Sequence, residues 1–298
     1  KENFSSKYAG AVSLFVKDTT INSKYKNAIN VFGHTKYKSR LLKNYVNLDI
    51  KKNILQSNSK IYVEKFLEHE KLIPSDLIEI HNRPNYVKFL SQNTNSKLIL
   101  YFHNDPLTMN GSKSLIERRD LLKKTHKLVF NSKWSRDRFL QNFNKFEIPE
   151  DKLNVIYQSS KKVKINFNKK MKIISFVGKL NSAKGYDLFG SAILKILDKY
   201  KDWKAIVIGD EPREKLTFQH KNLKILGFKS HRIVLNYFNV VSISVVCSRW
   251  NEPFGRTSLE ASSRGCALII SNKGGLPETT NHALVLKKLT SKEIFNKI

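Results

Sequence analysis

Acidic residues are scarce in this chain of 298 residues: 25 Asp and Glu stand against 54 Lys and Arg, which leaves a net charge of +29. Cysteine is nearly absent. Two in so long a chain cannot form a disulfide framework, and both border apolar strand-like runs, VSISVVC ending at Cys247 and CALIIS starting at Cys266. A reducing compartment is therefore expected. No apolar stretch approaches the ~20 residues that a bilayer-spanning helix needs, and no charged-then-apolar leader opens the sequence. The expectation is a soluble, cytoplasmic protein. No Gly-x-Gly pair, no Gly-Lys-Ser/Thr loop and no Asp-x-Asp is present, and the eight histidines are scattered singly. A dinucleotide fingerprint, a P-loop and a metal-clamped sugar nucleotide all lack their signatures, so neither a metal nor another cofactor is expected.

The charge points toward polyanions, whether nucleic acid, anionic lipid headgroups or phosphorylated substrates. Lysine far outnumbers arginine, and Asn and Ile are frequent, a mixture that an AT-biased genome produces without selection for binding. Whatever its origin, such a surface gains on the order of 1 kcal/mol per Lys near an anionic membrane. Reversible contact with the inner face of the cell membrane is the resulting expectation. No zinc-finger, RNP or KH signature is present, and the aromatics are read as not interleaved with basic residues, so nucleic acid is not an expected partner.

The length exceeds that at which one core usually stops growing, which favours two domains. Glu2 to Tyr8 reads as polar loop with no strand ahead of it. A short apolar run, IYVEKFL, precedes Pro74; a turn then leads into a strand ending at His81. KLILYF at 97–102 is the kind of run buried on both faces of a parallel sheet. A helical period runs through ERRDLLKKTH, KLVFNS forms a further strand, and Ser135 is expected to cap the helix carrying Phe139 and Leu140. LNVIYQ leads into the lysine- and asparagine-rich SSKKVKINFNKK, read as the interdomain linker, with domains at 1–168 and 169–298. Beyond it strands and helices alternate regularly: KIISFVG, a helix from Gly185 to Tyr200, WKAIVIGD, LKILGF, a helix around RIVLNYF, SISVVCS, a helix from Thr257 to Ser263, and ALIISN. Such βαβ units imply a parallel sheet whose ligands bind beyond the strand C-termini.

Three loops at that edge carry chemistry. Gly178-Lys179 closes the first strand and Lys184-Gly185 opens the following helix, so two ammonium groups and a helix start can meet one anion, with solvated loop lysines as the plainer reading. Glu252-Pro253-Phe254-Gly255-Arg256-Thr257-Ser258-Leu259-Glu260 places one carboxylate in a loop and another about a turn inside a helix. Gly255 permits close backbone approach and exposes N–H donors at the helix start. Carboxylates beside amide donors suit a polyhydroxylated, phosphorylated ligand. Gly274-Gly275-Leu276-Pro277-Glu278 adds a third glycine-rich loop.

Together these residues resemble glycosyltransferase family four, the retaining enzymes of the GT-B fold, with two Rossmann-like parallel-sheet domains facing a cleft. FVGKLNSAKG is similar to the family's G-R-L-x-x-x-K-G loop, IGDEP, with Gly209, to its G-D-G-P turn, EPFGRTSLE to its E-x7-E segment, and ISNKGGLPE to its G-G-x-x-E ending, in the same order and spacing. The resemblance implies that Lys179 and Lys184 bind the donor diphosphate, Glu260 the ribose hydroxyls and Glu252 the sugar hydroxyls near the reacting carbon. Gly255, Arg256 and Thr257, with Phe254, would lie against sugar and phosphates. In the first half it implies a donor-side role for His103 and a loop role for Gly10. HNDPLTMNGSKSLIERRDLL followed by LVFNSKWSRDRFL looks most like bacterial members that build lipopolysaccharide or capsule glycans.

Lys179 stands where the family has Arg, which keeps the charge but loses the bidentate fork, and Asp210-Glu211 replaces Asp-Gly. A strand before the Gly10 loop and closing helices are missing, so truncation at both ends is expected. The implied reaction is retaining transfer of a hexosyl group from a nucleotide-diphosphate sugar to a hydroxyl of a glycan or glycolipid. The alternatives are another GT-B activity such as a sugar-nucleotide epimerase, or a basic nucleic-acid-binding protein.

Overall fold

The computed structural model describes residues 3–6, 8–50 and 56–298. Of the N-terminal loop read from Glu2 to Tyr8, Glu2 and Lys7 lie outside the described residues. The chain divides into two compact units, Lys1–Tyr157 and Gln158–Ile298, so the division falls ahead of the expected one after residue 168. The reason is that the lysine- and asparagine-rich stretch packs onto the second unit. Ser160 Oγ meets Ser263 Oγ at 3.1 Å. A Cβ on Gly265 would come within 2.8 Å of Ile165 Cγ2 and 3.3 Å of Phe167 Cε1. Lys170 Nζ donates to the carbonyls of Phe238 and Val241 at 2.8 and 2.7 Å.

The first unit opens with α1 (Ala11–Asn22), then β1 (Val31–Gly33) and β2 (Tyr45–Asn47), which pair in parallel. Next comes α2 (Asn58–Leu72), capped by Ser57, whose side chain accepts from the Lys60 amide. The run IYVEKFL lies inside this helix. A four-stranded parallel sheet follows in the order β3-β4-β5-β6, formed by Leu77–His81, Lys97–Phe102, Lys127–Phe130 and Leu153–Val155. Its crossovers are α3 (Pro84–Asn93), α4 (Leu115–Lys124) and α5 (Lys133–Phe139). A reciprocal capping box of Ser114 and Glu117 starts α4. Ser132, not Ser135, caps α5: its side chain accepts from the Ser135 amide, and Ser135 is buried inside the helix. Phe102, Phe130 and Phe139 are fully buried with ring centroids 5.4 to 5.5 Å apart. Each such side chain contributes roughly 1.5–3 kcal/mol on leaving water.

The second unit is one six-stranded parallel sheet. In chain order it runs β7 (Met171–Val177), α6 (Tyr186–Lys199), β8 (Lys204–Ile208), β9 (Leu223–Ile225), α7 (His231–Val240) and β10 (Val241–Val246). There follow α8 (Arg256–Ser262), β11 (Ala267–Ser271), β12 (Leu284–Leu286) and α9 (Ser291–Lys297). The strands lie in the order β12-β11-β10-β7-β8-β9. Phe189, Ala192, Ile193, Ile196 and Leu197 of α6 recur at helical spacing and are all buried against the sheet. The order reverses between β7 and β10, and their C-terminal ends therefore open a crevice at the switch point where doubly wound sheets bind ligands.

Strand ends near that point are knitted by backbone alone. Gly178 N donates to Ile208 O and Gly209 N to Gly227 O, each at 3.0 Å. Gly209 holds φ +141°, and a Cβ there would fall 1.8 Å from Gly178 O. Gly209→Ala should thus cost at least ~2 kcal/mol, since strain and overlap with backbone act together. Urea unfolding followed by near-ultraviolet dichroism checks this; a midpoint within error of the parent would contradict the packing.

Candidate functional site

The loop after β7 and the loop after β10 meet at the switch point. Asn181 Oδ1 accepts from Lys184 N at 3.0 Å, which closes a short 3₁₀ turn over Ser182–Lys184. Gly185 then turns left-handed, φ +75°, to start α6; a Cβ on it would lie 2.0 Å from the Cys247 carbonyl. Ala183 O accepts from the amides of Arg249 and Trp250 at 2.9 and 3.0 Å. Arg249 also forms a two-pronged pair with Asp187 at 2.6 and 2.7 Å. Its hydrogen bonds hold the Asp187 carboxyl below the usual carboxylate range.

This stitching brings Lys184 to Glu252: Nζ donates to Oε1 at 2.5 Å, and Glu252 is mostly buried while Lys184 is half-buried. The Gly274-Gly275 loop clamps Glu252 from the other side. Gly275 N donates to Glu252 O at 2.7 Å, and Gly274 takes φ +62° with room for no Cβ, since Glu252 O would lie 2.1 Å away. The three glycine-rich loops expected to share one sheet edge thus converge on one residue, Glu252. Lys179 is exposed in the same loop as Lys184. Nearby, hydrogen bonds from Arg213, with a smaller contribution from the Lys179 charge, bring the Glu211 carboxyl down to about 2.

Gly255 starts α8 at φ +122°, pressed against Leu276 Cδ1, 2.4 Å from where a Cβ would stand. Phe254 is buried and Thr257 half-buried. Ser258 Oγ meets Thr279 Oγ1 at 2.8 Å, which fixes the helix to the loop after β11. Glu260, one turn on, is buried and accepts at Oε1 from Arg256 Nε at 2.6 Å, with His231 Nε2 at 2.7 Å. Burial alone would raise its pKa; the His231 hydrogen bond and the Arg256 charge outweigh burial and lower it. Glu260 is therefore an ionised, fixed acceptor. Lys179, Lys184 and Arg256 supply positive charge, and Glu252 and Glu260 supply acceptors, on one rim of the sheet.

The remaining expected residues, Gly10 and His103, belong to the first unit. Gly10 caps α1 in an extended conformation, φ −89°, that any residue could adopt. His103 follows β4 and is buried; its amide donates to Asn82 Oδ1 at 2.8 Å, and Asn131 Nδ2 donates to its carbonyl at 3.0 Å. Its Nε2 lies 3.0 Å from His81 Nδ1, and Phe15 of α1 meets its ring edge-on at 4.8 Å. Burial, then the neighbouring His81, push its pKa well below the ordinary value, so the ring is neutral. Among the described residues no group of three His, Cys, Asp or Glu side chains could hold a metal ion. None of the described helices is long and apolar enough to cross a membrane.

Residues 158–296 match the family model of glycosyl transferases group 1. The match covers almost the whole second unit and every one of the three loops. The chain is 24% identical over 253 residues to the Bacillus subtilis glycosyltransferase YtcC, covering 74% of this chain and 61% of that protein. It is 22% identical over 283 residues to the lipopolysaccharide 1,2-N-acetylglucosaminetransferase of Salmonella typhimurium, covering 84% of this chain and 67% of that protein. In structure it resembles Anabaena HepE in complex with UDP-glucose, with a TM-score of 0.73 at 17% identity, covering 98% of this chain and 86% of that one. The GT-B fold class expected from the sequence is the fold the chain has. The chain thus spans about six tenths of the length of the Bacillus relative.

Sequence reading missed His231, Arg249 and Asp187 at this sheet edge. A lone histidine at a helix start carries no signal, and its meeting with Glu260 spans 29 residues. Arg249 adjoined a quoted motif, but its partner lies 62 residues away.

The His103 environment predicts a pH dependence. Below about pH 6.5 the unfolded chain protonates this histidine while the folded chain does not, so stability falls as pH drops toward the depressed folded value. The loss steepens as pH falls, toward a limit of about 1.36 kcal/mol per pH unit for one proton. His103→Gln should flatten that slope. Parallel denaturant titrations of parent and variant at several pH values would show it; identical slopes would place the acid sensitivity elsewhere.

Proposed function

We propose that this chain is a retaining hexosyltransferase, moving a sugar from a nucleotide diphosphate to a hydroxyl of a glycan or glycolipid in lipopolysaccharide or other cell-surface polysaccharide synthesis. In this reading the second unit binds the donor, the first unit the acceptor, and the enzyme works in the cytoplasm at the inner membrane face. The observation that carries it is the Lys184–Glu252 pair at the switch point of a group 1 domain. A carboxylate and an ammonium held together there, with Lys179 and Arg256 on the same rim, match a ligand that is anionic at one end and polyhydroxylated at the other. The likeness to the lipopolysaccharide enzyme and to a UDP-glucose complex supports the substrate class.

The chemistry follows from charge. As the glycosidic bond to the diphosphate breaks, negative charge grows on the leaving oxygens. Lys184 and Lys179 stabilise it, and the first amides of α8 add partial positive charge. Binding the diphosphate draws Lys184 away from Glu252, which frees that carboxylate to accept from sugar hydroxyls beside the reacting carbon. Glu260, already oriented by Arg256 and His231, accepts from the ribose hydroxyls. His103 offers a neutral imidazole on the first unit, and Gly10 stands at the start of α1. Front-face attack by the acceptor, assisted by the leaving phosphate, gives retention. Proton NMR of the first product should show the donor's anomeric configuration; the opposite anomer would rule retention out.

The two carboxylates separate kinetically. Glu252→Gln should lower kcat at least about a hundredfold while nucleotide diphosphate binding holds or tightens, because Lys184 loses its competing partner. Glu260→Gln should raise the donor KM by about ten- to a hundredfold with little change in kcat, the loss of a charged hydrogen bond worth about 1.5–3 kcal/mol. Steady-state kinetics, calorimetry with UDP, GDP and ADP, and melting curves decide between the roles. Near-normal turnover by Glu252→Gln with a folded protein would overturn the assignment.

A further inference from the structure

Two strands of the first unit send three rings to one side of their sheet. His81 lies opposite Tyr101 in the register of β3 and β4, and side chains alternate between the faces of a strand. Glu79, His81, Tyr101 and His103 therefore share a face, while Ile80, Leu100 and Phe102 fill the core on the other. The rings of His81, Tyr101 and His103 are stacked, with centroids 4.7 to 6.1 Å apart. Phe15 of α1 packs against all three at 4.8 to 6.1 Å.

Polar atoms run in a line through this stack. At its outer end the Glu79 side chain is half-exposed; Tyr101 Oη donates to its Oε1 at 3.4 Å, and its Oε2 lies 3.5 Å from Nε2 of the mostly buried His81. His81 Nδ1 in turn lies 3.0 Å from His103 Nε2. At the inner end His103 Nδ1 is buried, with no hydrogen-bond partner among the described residues.

A neutral imidazole has one N–H and one lone pair, so with both rings neutral the line admits two proton arrangements. In the first, His81 Nδ1 donates to His103 Nε2. The bare Nε2 of His81 then faces the Glu79 carboxylate, acceptor against acceptor, and His103 carries its proton on the partnerless Nδ1. In the second, His81 Nε2–H faces Glu79 and Nδ1 accepts from His103 Nε2–H, which leaves a lone pair on His103 Nδ1. The carboxylate selects the second, because the contact at one ring nitrogen fixes the role of the other. We propose that His81, oriented by Glu79, is a positioning residue for His103: it holds that ring with Nε2 protonated and Nδ1 as a hydrogen-bond acceptor. Such a nitrogen suits a hydroxyl and rejects ionised phosphate or carboxylate oxygens, which have no proton to give. That it serves a sugar hydroxyl of the donor rests on the transferase reading above; the proton arrangement does not.

Long-range proton–nitrogen NMR of the nitrogen-15-labelled chain at about pH 8, above the ordinary histidine range, reads the arrangement directly. Protonated and bare ring nitrogens resonate far apart, and the His103 signals are those missing from His103→Gln. The parent should show His103 Nε2 protonated and Nδ1 bare. His81→Phe keeps a ring in the stack but no acceptor, and should populate the Nδ1-protonated form of His103 as well. Glu79→Ala should do the same to a smaller degree. His81→Asn, whose amide oxygen can replace Nδ1, should restore the parent pattern. In sugar transfer, His81→Phe should raise the donor KM several-fold and add nothing to the effect of His103→Gln, since a residue acting through another has no effect once that other is gone. Additive losses would overturn the proposal, as would a parent with His103 Nδ1 protonated or an unchanged His103 pattern in folded His81→Phe and Glu79→Ala. The parent spectrum needs no substrate and no change at His81 or Glu79, so it decides the proton arrangement even if those substitutions disturb folding or no sugar is transferred.

Discussion

The candidate site depends on one close backbone approach, that of Gly185 to the carbonyl of Cys247. Any Cβ at residue 185 would overlap that carbonyl, so only glycine lets the start of α6 settle against the end of β10. From this contact follow the bonds of Ala183 O to Arg249 and Trp250 and the Arg249–Asp187 pair. With the two loops fixed, Lys184 and Glu252 have little choice but to meet. Gly274 does the same on the opposite side, so the Gly274-Gly275 loop holds the Glu252 backbone while the carboxylate meets Lys184.

That arrangement has an electrostatic consequence. A half-buried ammonium and a mostly buried carboxylate neutralise each other when no ligand is present, which avoids the cost of leaving either charge unpaired. In the reaction proposed above, an anionic ligand competes for the ammonium and releases the carboxylate. Glu260 is built differently. Its partners, Arg256 on its own helix and His231 on the neighbouring one, keep it ionised and oriented before any ligand arrives. One carboxylate is switchable and the other preset, and both sit at the point where strand order reverses.

Much of the second unit was legible from the chain. Strands at KIISFVG, WKAIVIGD, SISVVCS and ALIISN, and helices between them, appear within a residue or two of where alternation placed them, because a sheet covered on both faces demands short apolar runs separated by amphipathic helices. The first unit was less legible. IYVEKFL proved to be part of α2, whose polar flanks hide its helical period. Ser135 and Ser132 are both good caps by type, and only the direction of the chain leaving β5 selects Ser132. The stretch after LNVIYQ has the composition of a linker, yet Ile165, Phe167 and Lys170 find partners on the second unit that no local pattern announces.

By itself the sequence determined which residue types stand at each strand end, and hence that glycines, lysines and two carboxylates would share one edge of a parallel sheet. It also determined the net charge of +29. Tertiary structure alone decided the pairings: Lys184 with Glu252 across 68 residues and His231 with Glu260 across 29. Spacing along a chain fixes only what lies within a helical turn or a tight loop. Which distant side chains come within hydrogen-bonding reach is set by strand order and by how closely glycine lets backbones approach, and both exist only once the sheet has formed.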